Sequence, residues 1–171
     1  SKVTGQKQNH PPFRKGDSGG FMKIDKLEHL LLGNSYVVRL TTDTGITGIG
    51  QSAFWGYPEA TERIVNVFKE YLIGQNPLRI EHHWQHLYRM APFRGTALSG
   101  AVSAVDIALW DIKGKHFDVP VWELLGGNCR DKIRLHLLAG GSTPETMFDV
   151  AKAAKEEGFT ALKFDPLVGG D

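Results

Sequence analysis

Between residues 22 and 54 the chain alternates apolar and polar side chains with a period of two. Tyr36, Val38 and Leu40 fall on one face, Val37 and Arg39 on the other, the pattern of half-buried strands. Strands are predicted over 22–32, 35–42 and 47–54, with Asp43-Thr44-Gly45 turning the second into the third as an antiparallel meander. The period then lengthens. Ile64, Phe68, Tyr71 and Leu72 share one helical stripe, opened by Pro58 and closed near Gly74. Asn76-Pro77 has the chemistry of an N-cap followed by proline at the first helical position. A second helix is expected to open there and run to Pro92, with Ile80, Trp84, Leu87, Tyr88 and Ala91 on its stripe. A third is predicted over 96–116, where Leu98, Val102, Val105, Leu109 and Ile112 recur at intervals of three and four. Its opposite side carries Ala104, Ala108 and the i,i+4 pair Asp111 and Lys115.

After Gly126-Gly127 the order becomes strand, helix, strand: a strand over 132–138, a helix capped by Thr143-Pro144 and stopped by Gly158, and a strand over 160–165. Parallel strands joined by a helix need a sheet covered on both faces, which two strands cannot supply. The second half therefore reads as the opening of a larger α/β domain. Three regions are expected: a polar tail or leader over 1–21, an α+β domain with its linker over 22–131, and a cut-off β-α-β over 132–171.

Composition narrows the function classes. The 171 residues carry 20 Lys+Arg against 19 Asp+Glu, with 41% hydrophobic and 23% charged residues, which are globular values rather than those of a disordered chain. A net charge of +1 lacks the basic excess of a nucleic-acid binder. Apolar runs such as Leu30-Leu31-Leu32 are too short to span a membrane, and the first 20 residues show no apolar signal core. The single cysteine, Cys129, fits a reducing compartment. A cytoplasmic protein with neither a nucleic-acid nor a membrane partner is expected.

The stretch from Ala101 to Gly126 reads AVSAVDIALWDIKGKHFDVPVWELLG, with Asp106, Ala108, Asp111, Gly114, Lys115, Pro120, Leu124 and Gly126 at fixed intervals. It resembles the signature of the mandelate racemase/muconate lactonizing enzyme group of the enolase superfamily, closest to galactonate-dehydratase-like sugar-acid dehydratases. That resemblance, over about 22–171, implies an α+β capping domain followed by the first β-α-β of a modified TIM barrel. It also implies Mg2+-dependent removal of the proton α to a carboxylate. Such a C–H is weakly acidic, so the developing dianion needs concentrated positive charge. The implied reaction is dehydration of an aldonate, a small-molecule sugar acid, to a 2-keto-3-deoxy acid, in a protein expected to be a homo-oligomer. The Mg2+ ligands are expected beyond residue 171, with none within this chain. The alternatives are a racemase, epimerase or cycloisomerase of the same superfamily, or a non-catalytic capping-domain module.

By the same resemblance, Lys163-Phe164-Asp165 ends the second barrel strand, where many members carry Lys-x-Lys with the second lysine as base. Asp165 departs from that pattern. Lys163 is expected to face the substrate carboxylate with Asp165 beside it, against a bland reading of the two as a structural ion pair. The segment holding Trp55 and Tyr57 is implied to be a lid over the barrel, with its companion near 29–35. The alternative for those aromatics is packing. Arg94 would grip a carboxylate bidentately, or be a surface arginine.

Other features read as structural. His82 and His86 stand i,i+4, a spacing that can grip a transition metal, yet no further ligands stand nearby, and His83 with Glu81 is expected to continue a polar face. Asp106 and Asp111 are expected to anchor loops and caps. Gly48 and Gly50 match a dinucleotide fingerprint in the wrong context and are expected to relieve crowding at the barrel mouth.

Overall fold

A computed structural model describes residues 21–54, 56–141 and 143–164. The expectations for the tail, for Trp55 and for Asp165 lie outside them. The chain divides into two compact units at the Gly127–Asn128 boundary.

The first unit begins with the meander. Strands β1 (Ile24–Leu32), β2 (Ser35–Thr42) and β3 (Thr47–Ser52) pair antiparallel in the order β1-β2-β3. Tyr36, Val38, Leu40 and Thr42 point inward and are buried. A bulge between Ile24 and Lys26 shifts the register of β1, so Ile24 and Leu27 are both buried despite their odd spacing. Gly33 (φ +59°) and Gly45 (φ +84°) take the left-handed conformations of the two turns. The outer face is mixed: Leu30 and Ile49 are exposed on it, and Arg39 donates from Nε (2.9 Å) and from Nη2 (2.6 Å) to Glu28 across the strands.

Three helices follow, α1 (Pro58–Leu72), α2 (Ile80–Arg89) and α3 (Thr96–Phe117); α1 and α3 cover the inner face and α2 packs on α3. The buried stripe of α1 is Thr61, Val65, Phe68 and Leu72, rotated slightly from the predicted one, which leaves Ile64 and Tyr71 on its flank. Helix α2 opens three residues later than Asn76-Pro77 suggests. Asn76 Oδ1 instead accepts from Leu78 N at 2.9 Å, closing an Asx turn, and the Asn76 carbonyl is claimed by the His83 ring at 2.8 Å. The Asn-Pro pair thus sets the turn that aims α2.

Helix α3 is the central element. It packs on β2 and β3 on one side and on α1 and α2 on the other, so both its Leu/Val/Ile stripe and its Ala101, Ala104 and Ala108 stripe are buried. Asp118, left-handed at φ 55°, ends it by donating its N–H to the carbonyls of Gly114 and Lys115. The one-turn helix α4 (Val121–Leu124) follows.

The glycines of β3 explain the close seat of α3. A Cβ at Gly48 would fall onto the carbonyl oxygen of Ala108, and one at Gly50 onto that of Ala104. They relieve crowding against α3, not against a barrel mouth as the sequence suggested. The signature's polar pair then closes the outer edge of β3. Asp111 Oδ2 accepts from Ile49 N at 3.0 Å and from Lys115 Nζ at 2.8 Å, and Lys115 Nζ also donates to the Thr47 carbonyl at 2.8 Å. An edge strand otherwise offers those backbone groups to any other chain. Asp111 is structural, as expected.

In the second unit β4 (Leu137–Leu138) and β5 (Leu162–Lys163) pair in parallel across helix α5 (Pro144–Glu156). A reciprocal capping box opens α5: Thr143 Oγ1 accepts from Thr146 N at 3.3 Å and Thr146 Oγ1 from Thr143 N at 3.1 Å. Gly158 (φ +95°) follows its end. Both strands are shorter than the alternation predicts. Each has one pairing neighbour among the described residues, and Ile133, Leu135, Leu138 and Phe164 are all exposed, whereas parallel strands are stable when covered. No helix of the described residues is long and apolar enough to cross a membrane.

Candidate functional site

Three connections of the first unit gather at one end of the sheet. Leu32 pairs with Ser35 at the tip of the β1–β2 hairpin, and Tyr36 pairs with Ser52, which brings the end of β3 to that tip. Gly100, one turn into α3, lies against Ser52 and Phe54, so the 90–95 connection arrives there too. The hairpin is tied to α1 by His29 Nδ1 and Glu62 Oε1 at 3.6 Å.

This end is apolar and open. Leu32 is 62% exposed, Tyr57 70% and Phe93 89%, an unusual set to leave facing solvent on a unit whose core is otherwise closed. The Tyr57 ring leans on Phe54 with centroids 6.1 Å apart. Arg94 lies 4.9 Å over the Tyr88 ring, which itself stacks on Trp84 at 5.0 Å. Stacking occupies the face of a guanidinium and leaves its planar N–H fork for an anion. Beneath the hairpin Tyr36 is buried, its hydroxyl unpartnered among the described residues. Burial, and secondarily the Glu62 charge, push that phenol well above its ordinary range.

The predicted site residues are thus partly gathered. Tyr57 and Arg94 stand on connections at the same end of the first unit. Lys163 belongs to the second unit, exposed on β5, its carbonyl accepting from Ala139 N at 2.8 Å.

Two polar groups were not foreseen in their true setting. His83, expected on a polar face, is fully buried between Ile80 and Leu87 on the packed side of α2. Its Nε2 lies 2.8 Å from the Asn76 carbonyl, a pure acceptor, so Nε2 carries the hydrogen and Nδ1 accepts from Tyr71 Oη at 2.9 Å. Burial above all holds its pKa below the ordinary imidazole value; the Asn76 carbonyl opposes this, and the charges of His82, Arg79 and His86 reinforce it. The i,i+3,i+7 spacing of Ile80, His83 and Leu87 was the available signal. Asp106 lines a cleft of about 770 Å3 between α2 and α3 with Trp84, Trp110 and Lys113. Burial raises its carboxyl pKa, Glu81 adds to this, and a bond from Trp110 opposes it.

A three-stranded meander under three helices, with an open apolar end and a β-α-β after it, defines the N-terminal capping architecture of the enolase superfamily. The family description "mandelate racemase / muconate lactonizing enzyme, N-terminal domain" matches residues 33–126, and the chain belongs to that family. Solved structures agree. A protein provisionally named a dehydratase from Salmonella enterica serovar Typhimurium is 31% identical, with a TM-score of 0.80 over 86% of this chain and 43% of its own. An enolase from Pantoea ananatis, with bound d-gluconate and Mg, is 35% identical, with a TM-score of 0.74 over 85% of this chain and 36% of its own. An enolase from Agrobacterium radiobacter, provisionally named a galactarate dehydratase and bound to Na and L-malate, is 32% identical, with a TM-score of 0.72 over 84% and 38%. The chain spans between 36% and 43% of the length of these three relatives.

Proposed function

We propose that this chain caps and helps build the active site of a Mg2+-dependent sugar-acid dehydratase. The C2 proton of an aldonate is removed, the C3 hydroxyl leaves as water, and the enol that remains becomes a 2-keto-3-deoxy acid. The observation that carries the reading is the open end of the first unit, where Leu32, Tyr57 and Phe93 face solvent beside the stacked Arg94. Aromatic and aliphatic tips there exclude water from the far end of a polyol acid, and the guanidinium fork offers its N–H donors to the hydroxyls of that end. The gluconate and Mg held by the Pantoea ananatis relative support the same substrate class.

Lys163 is assigned to the substrate carboxylate, where an ammonium steadies the charge that builds as the proton leaves. Asp165 is assigned to orient it, and Trp55 to stand with Tyr57 on the lid. Among the described residues no group of three or more His, Cys, Asp or Glu side chains could hold a metal. They do not fit a Mg2+ site, so the proposed Mg2+ would be held by residues outside the described set.

The test is a chimera in which this chain replaces the matching segment of the Pantoea ananatis relative. It is screened with Mg2+ against hexonates and hexarates, with 2-keto acid as the readout. Product from at least one acid is expected, with Lys163→Met folded but lowered about 10²–10³-fold in kcat. A folded chimera that only inverts C2, or yields no 2-keto acid from any of them, sinks the dehydratase reading.

A further inference from the structure

Helix α2 carries three histidines in five positions, and the structure divides them sharply. His83 is buried and spends both ring nitrogens on Tyr71 and Asn76. His82 and His86, one turn apart, are both exposed, and no ring nitrogen of either has a hydrogen-bond partner among the described residues. Their rings lie nearly parallel, 20° between planes, with centroids 6.5 Å apart. Both line one shallow cleft of about 300 Å3, whose remaining walls are Gln85, Arg89 and Met90. His86 is held by stacking on Tyr71 at 3.9 Å, and the Gln85 side-chain oxygen is buried without a partner among the described residues.

We infer that His82 and His86 form a chelating site for a borderline transition-metal ion, Zn2+ or Cu2+, on the outer face of α2. Neutral imidazole suits these ions, whereas Mg2+ asks for oxygen, so the site is separate from any metal of the proposed reaction and does not rest on that reading. Two imidazoles bound tetrahedrally at about 2.0–2.1 Å place their ring centroids about 5.2 Å apart. The pair is therefore rather more than 1 Å too open, and one ring must swing. His86 is stacked in place, so the moving ring is His82, which touches only the edge of His83 at 5.7 Å. Water or the Gln85 oxygen completes the coordination. Arg89 at the cleft edge is the one adverse charge among its lining residues, and its long exposed side chain can turn away.

The experiment titrates the 171-residue chain with ZnCl2 by calorimetry and repeats the thermal melt with and without the ion. One Zn2+ per chain is expected at this site, with a raised melting temperature, because the bridge fastens one turn of α2. His82→Ala and His86→Ala should each weaken binding at least tenfold, the lower end of what even outer ligand partners contribute, and each should abolish the shift in melting temperature. Both side chains are exposed, so the variants should melt normally without metal. His116→Ala and His136→Ala should bind as the unaltered chain does. Undiminished binding in the His82→Ala/His86→Ala double variant, or an equal loss in His136→Ala, would overturn the assignment.

Discussion

The two units are built from the same kinds of element and differ in what those elements bury. In the first, α3 sits so close to β3 that two glycines are required beneath it, and side chains from the helix bond the strand's open edge. Sheet, helix and edge are one interlocked object, with Val38, Leu40, Val65, Val105 and Ile112 wholly out of solvent. In the second, the same strand-and-helix grammar yields two short strands and a well-capped helix, but only Ala139 and Ala154 are buried among its described apolar residues. Good local signals make elements. Burial of their faces against one another makes a stable domain.

The largest test of that contrast is a single side chain at the closest approach. Gly50→Val drives a Cβ into the Ala104 carbonyl and should destabilise the first unit by about 3 kcal/mol or more, read as an early, broadened thermal transition. Gly140→Ala, at an open position of the second unit, should leave the melt unchanged. A tolerated Gly50→Val would mean that α3 can slide away from the sheet, and the interlock would lose its basis.

A smaller effect lies in acid. Because His83 is held neutral in the folded chain, its contribution is complete above the unfolded imidazole value of about 6.5. As the pH falls below that value, the unfolded chain takes up a proton that the folded chain refuses. Stability therefore drops until the lowered folded value is passed. His83→Leu should cost about 1–3 kcal/mol at pH 8, by orphaning the Tyr71 hydroxyl and the Asn76 carbonyl. The same variant should flatten the acid limb of a stability-versus-pH curve. An unchanged acid limb would show that His83 takes up a proton as readily in the folded chain as in the unfolded one.

The smallest effect belongs to the second unit. Thr143→Ala removes the capping box of α5 and should cost about 1 kcal/mol, visible in hydrogen exchange of the first turn of α5 and absent from the amides of β2 and α3. Slowed or unaltered exchange in α5 would show that something other than the cap holds that helix.

The meander, the turn at Asp43-Thr44-Gly45, the long third helix and the Thr143 cap were all legible in the sequence. Each depends on residues within a few positions of one another, so periodicity and turn chemistry report them directly. The start of α2 was misplaced for the same local reason. Asn76-Pro77 looks like a cap, but the Asn76 side chain closes an Asx turn on Leu78, and the Asn76 carbonyl is taken by His83, seven residues on. The candidate site was readable as residue types at Tyr57 and Arg94, but their sharing one end of the sheet follows from the pairing of Tyr36 with Ser52 and the seat of Gly100 on Phe54.

By itself, then, the sequence determined where the chain turns, which stretches are strand or helix, and through its signature which family it belongs to. The tertiary structure decided that His83 is core while its neighbours His82 and His86 are exposed. It also decided that Gly48 and Gly50 exist for α3, and that Asp111 and Lys115 close the edge of β3 across 62 and 68 residues of chain. Those facts belong to pairs of distant residues, and no window along the chain contains both partners until packing brings them into contact.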